Sequence, residues 1–108
     1  MHVKLLRHYK MLHHILLYKF KNGTNRIDEH LKVISNFKNN TEGLLDLKCG
    51  RNIGYDSSKE FTHGFIMFFK NKESLDKYNQ SEAHSKLVNL FNEDIEDKKV
   101  INFEDVKL

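Results

Sequence analysis

Three histidines and one tyrosine hold most of the reactive chemistry in this chain. His14 stands in LHHILLYKF (12–20), His63 in FTHGFIMFF (61–69) and His84 in SEAHSKL (81–87), each among apolar neighbours, and Tyr78 precedes His84 by six positions. An imidazole that titrates near neutrality can take a proton from a carbon flanked by carbonyls. A tyrosine hydroxyl can hold or protonate the oxygen that gains charge in the same step. Three histidines can also make a zinc site. Here they come from separate elements, with no His-x-x-x-His and no paired cysteine, and no metal is expected. His2, His8 and His30 read as surface residues.

On one unbroken helix, six residues turn through about 600° and leave Tyr78 and His84 about 120° apart. They converge only if the helix breaks between them. The intervening Asn79, Gln80 and Ser81 favour such a break, because Asn and Ser compete for backbone hydrogen bonds. Ser81 then caps a second helical segment in which His84, Val88, Phe91 and Ile95 share one stripe turned toward a sheet. The facing strands offer Leu16, Tyr18, Phe65 and Met67, with His14 and His63 among them. Apolar walls with a few convergent polar groups make a small-molecule pocket, with His63 at its mouth.

The elements that must position these residues can be read along the chain. Residues 12–20 are rich in β-formers and too short for a typical helix, and NGTN (22–25) marks a turn. Ile27, Leu31, Ile34 and Phe37 fall at helical spacing, with Asn25 as the predicted N-cap and Asp28 and Glu29 in the first turn. A strand follows at 44–49 with Leu45, Leu47 and Cys49 on one face, then a polar loop (50–60) and the strand at 61–69. A second helical region runs from Lys72, capped by Asn71, to about Asp97. A last strand covers 99–104. The order β-α-β-β-α-β is an α+β layout.

Strands 12–20 and 61–69 are apolar on both faces. With right-handed crossovers both helical regions land on one side of the sheet. Ile15, Leu17, Ile66 and Phe68 are then apolar on a side no helix covers, with Thr62 and Gly64. Such a patch marks an interface, so the chain is expected to form a homodimer, sheet against sheet. Gly64, lacking a side chain, would let the partner's backbone come close.

Composition narrows the class. The 108 residues suit one domain, and 18 basic against 15 acidic residues, a net +3, do not make the concentrated basic patch of a nucleic-acid binder. No apolar run approaches the roughly 20 residues of a membrane span. The single cysteine, Cys49, has no internal partner and reads as a small buried side chain on a strand. A cytoplasmic protein is expected. Residues 1–11 read as an N-terminal extension ahead of a domain spanning 12–108, with Met11 an alternative start.

HHILLYKFK in the first strand, GRNI at 50–53, FTHGF at 61–65 and AH at 83–84 after a tyrosine occur in order. With this set the chain resembles the stress-responsive dimeric α/β-barrel (Dabb) family over residues 12–104. The resemblance implies a ferredoxin-like unit with an antiparallel sheet that pairs with a partner's sheet to close a barrel. The family includes the plant olivetolic acid cyclase, which closes a linear polyketide thioester by aldol condensation without a cofactor. Carried over by position, its catalytic tyrosine and histidine fall on Tyr78 and His84, and cavity histidines on His14 and His63. The family's common His-Pro-Ala-His reads Ser81-Glu82-Ala83-His84 here. The expected function is binding of a small apolar or phenolic molecule, with cyclase-like or lyase chemistry. The alternative is a non-catalytic structural or stress-protective assembly protein.

Overall fold

A computed structural model describes residues 11–54, 61–106 and 108. The expectations for residues 1–10, His2 and His8 among them, lie outside the described residues. Four strands and three helices follow in the order β1 (Leu12–Phe20), α1 (Ile27–Asn40), β2 (Leu44–Arg51), β3 (His63–Phe69), α2 (Lys72–Asn79), α3 (Glu82–Asn92) and β4 (Ile95–Glu104). The sheet order is β2-β3-β1-β4, with every neighbouring pair antiparallel. This is the ferredoxin-like layout, its second helical region split in two.

Alternation along the two central strands sorts the chain into two faces. Leu12, His14, Tyr18 and Phe20 of β1 are buried beneath the helices, as are His63, Phe65, Met67 and Phe69 of β3. Register builds rows across this inner face: Met67–His14–Asn102, Phe65–Leu16–Val100 and His63–Tyr18–Lys98. The outer face has its own rows, Phe68–His13–Phe103 and Ile66–Ile15–Ile101. His13 stacks on Phe103 with ring centres 4.7 Å apart and meets Phe68 edge-on.

The helices close the core from one side. Ile34 and Phe37 of α1, Leu75 and Tyr78 of α2, and Leu87 and Phe91 of α3 are buried. Full burial of one large apolar side chain is worth about 1.5–3 kcal/mol, so Phe65 and Phe69, at 1% and 0% exposure, are among the main anchors. Gly43 makes the turn into β2 at φ +81°, and a Cβ there would stand 2.2 Å from Ser74 Oγ. Only glycine meets both conditions.

Several sequence expectations are corrected. Asn25 does not cap α1; Arg26 holds that position without a side-chain cap bond. Instead, Arg26 uses its guanidinium to grip Asp94, with Nε and an Nη at 3.2 and 2.9 Å from Oδ2. A register shift between Leu44 and Asp46 puts Leu44 and Leu47 in the core and leaves Leu45 half exposed. Cys49 is exposed, because β2 is an edge strand whose far end no helix covers. Helix α3 stops at Asn92, and Ile95 opens β4 rather than extending the helical stripe.

His30 is also no surface residue. It is fully buried, stacked on Phe91 at 4.2 Å, and its Nε2 lies 2.6 Å from Asp94 Oδ2. Its place in the 27-30-34-37 stripe of α1 is the signal that reveals it. The His30 ring, with Arg26, holds the Asp94 carboxyl below the usual carboxylate range.

Candidate functional site

The link between α2 and α3 determines where Tyr78 and His84 meet. Ser81 Oγ donates to the Tyr78 carbonyl at 2.6 Å and accepts from the His84 N–H at 3.1 Å. One hydroxyl therefore ends the first helix and caps the second, satisfying backbone groups that a helix end leaves unpaired. Across this joint the Tyr78 and His84 rings come to 5.0 Å, edge to face. The predicted break brings the pair together.

Below them lies a cavity of about 220 Å³ between α2, α3 and the inner face of β1, β3 and β4. It is lined by His14, Leu16, Tyr18, Phe65, Met67, Tyr78, His84 and Val88, all anticipated from the sequence. Ile34, Asn79, Leu87, Lys98, Val100 and Asn102 complete the wall. The β4 contributors were missed, because only the pairing of β1 with β4, far apart in sequence, places them there. His63 and Phe91 are not part of this lining. His63 lies two rows away, edge-on to Phe20 at 5.0 Å and bonded to Thr62 Oγ1. Phe91 is committed to the core beside His30, so the three histidines do not converge on one point.

One polar pair of the cavity is held by a hydrogen bond. His14 Nδ1 bonds Asn102 Oδ1, its partner in the sheet register. With that nitrogen donating, Nε2 of a neutral ring is left as an acceptor. Burial lowers the His14 pKa, and the nearby His84 adds to the shift against the hydrogen bond to Asn102. Burial also lowers that of His84, with Lys98 contributing and the Asn79 backbone opposing. Both rings are thereby neutral at pH 7, ready to accept a proton. Burial pushes the Tyr78 hydroxyl well above its ordinary value, so it keeps its proton and serves as a donor.

This fold and cavity define a ferredoxin-like protein with a pocket between helices and sheet. The sequence profile of the Stress responsive A/B Barrel Domain matches residues 12–105, and the chain belongs to that family. Hydroxynitrile lyase from Passiflora edulis superposes with a TM-score of 0.83 at 18% identity, covering 92% of this chain and 96% of its own. The Arabidopsis thaliana protein At3g17210 gives 0.80 at 25% identity, with 90% and 97% covered. A dimeric ferredoxin-like protein of unknown function from Jannaschia sp. CCS1 gives 0.77 at 20%, with 88% and 99% covered. The likeness to the lyase and to the Jannaschia protein speaks to fold. No curated protein matches the sequence.

Proposed function

We propose that this chain is a homodimeric barrel protein that binds a small apolar or phenolic molecule in the cavity beneath Tyr78 and His84. The observation that carries this reading is the meeting of Tyr78, His84 and His14 on one cavity whose lining is about half apolar. The dimer reading is supported by the apolar outer rows, where Leu17 is 40% and Ile101 57% exposed, and by dimeric relatives of the same fold. A Cβ at Gly64 would only touch Leu17 at 3.8 Å, so within one chain nothing there demands glycine.

The same parts support cofactor-independent carbon–carbon bond chemistry of the polyketide-cyclase kind. His84 takes a proton from a carbon between two carbonyls. The electron pair left behind forms a bond to a second carbonyl carbon, whose oxygen takes the negative charge. Tyr78 steadies that oxygen by donating a hydrogen bond, and the imidazolium of His84 returns the proton to it. No proton or electron is gained or lost overall, so no cofactor is needed. A lyase of the kind named among the structural neighbours would draw on the same base and donor.

A purely structural, stress-protective role is favoured by a different observation: Tyr78 is 4% exposed and packs between Phe37 and Phe69. The two readings part on a melting-temperature screen with phenolic and polyketide-like compounds, since a ligand of the native state raises apparent stability. A functional pair loses the ligand response in both Tyr78→Phe and His84→Ala, with little stability lost in Tyr78→Phe. If both variants bind every stabilising compound as the unmodified protein does, the pair is structural.

A further inference from the structure

Among the described residues, the wall of the cavity contains no carboxylate. Its single permanent charge is Lys98, on the inner face of β4 opposite Tyr18, next to Val88 and Val100, which are 38% and 47% exposed. Those partly exposed residues mark the mouth; His14, Met67 and Tyr78, all nearly buried, mark the floor. Glu96 and Asp97 share an adjoining depression with Lys98. Glu96 pairs with Lys19 at 2.9 Å, and Asp97 Oδ1 accepts from the Lys98 backbone N–H at 2.8 Å. Among the described residues the Lys98 ammonium has no carboxylate partner. The other groups facing it are His84 and His14, neutral at pH 7, and the neutral hydroxyls of Tyr18 and Tyr78. The pocket is thus uncharged at depth, where His14 and Tyr78 sit among apolar side chains, and carries one cation at its rim.

We infer that Lys98 is a specificity-determining residue: the pocket selects a small amphipathic monoanion, its apolar body inside and its carboxylate at the mouth against the lysine. This rests on the pocket reading above. Size agrees with charge. A dry cavity of about 150 Å³ takes benzene, so about 220 Å³ takes one ring or a short chain with a single substituent. The ammonium acts as a point charge on a flexible stem, so the preference is for negative charge rather than for one geometry. It stays moderate because the site is open to solvent.

The test compares benzoate with its neutral isostere benzamide by calorimetric titration of the full chain at pH 7.5 and low salt. Benzamide binding reads the pocket alone; the difference between the two compounds reads Lys98. Benzoate is expected to bind about two- to fivefold more tightly, and the gap should narrow at about 1 M salt, where the screening length falls to about 3 Å. Lys98→Gln should bring the ratio of benzoate to benzamide affinity to about one, and Lys98→Arg should restore the gap. Equal binding of both compounds to the unmodified protein overturns the inference and leaves the pocket reading standing. A benzoate preference that survives Lys98→Gln removes this residue from the role. Failure of both compounds to bind overturns the inference and the pocket reading together.

Discussion

Loss of water is what the two cavity imidazoles share, and it gives them a measurable signature. Burial lowers the pKa of His14 and His84 from the ordinary 6.5, and that of His63 with help from Arg51. The unfolded chain therefore takes up protons first as the pH falls below about 6.5. Stability is full above that pH and declines as the pH drops, until the folded-state values are passed. The melting temperature should hold from pH 8 to 6.5 and fall toward pH 5, with a smaller fall in the double variant His14→Gln/His84→Gln. The remaining fall reports His63 together with the Asp46 and Asp94 carboxyls, whose lowered values act in the same direction. An identical pH profile in the double variant would show that the cavity imidazoles are not desolvated. Any reaction that uses His84 as a base fades over the same acid range, because a protonated ring accepts nothing.

At the level of elements, the joint between α2 and α3 makes the site. Ser81→Ala removes the acceptor for the His84 N–H and the donor to the Tyr78 carbonyl. Loss of such a cap costs about 1 kcal/mol, or about 4–8 °C in melting temperature for a domain of this size. Ligand response should weaken more than that loss alone explains, because the ring pair loses its hinge. A variant that melts and binds as the unmodified protein does would sink this account. The joint was legible because its signals are local: Asn71 and Ser81 are caps whose side chains accept from the third residue on. The two-faced pattern of β1 and β3 was legible for the same reason, since alternation needs no partner. What stayed hidden depends on residues far apart in sequence. The fit of His30 against Asp94, the shifted register that exposes Leu45, and the arrival of Lys98 and Asn102 opposite Tyr18 and His14 all come from tertiary pairing. His63 was misplaced because its face was right while its row, two pairs from His14, was not.

For the whole molecule, the outer face is where the proposed pairing of two sheets would occur. Phe68 lies there, edge-on to His13, outside the core beneath the helices. Phe68→Glu should leave the fold of each chain intact and set a charge inside the proposed sheet-to-sheet contact, where an unpaired charge is costly. Light scattering at micromolar concentration should give a dimer for the unmodified chain and a monomer or aggregate for the variant. A monodisperse monomer from the unmodified chain would remove the barrel.

Pocket and outer face are written into the same nine residues of β1, one on each alternate position. That interleaving limits how the chain can change. A point substitution at Leu16 or at Leu17 retunes one surface and spares the other. A single-residue insertion or deletion within the strand turns every side chain beyond it to the opposite side. His14 would then face outward while Ile15 entered the cavity, and the proposed ligand recognition and the proposed pairing would fail in one event. A change of length in this chain should therefore be tolerated only outside β1, and within it the register is as constrained as the residues themselves.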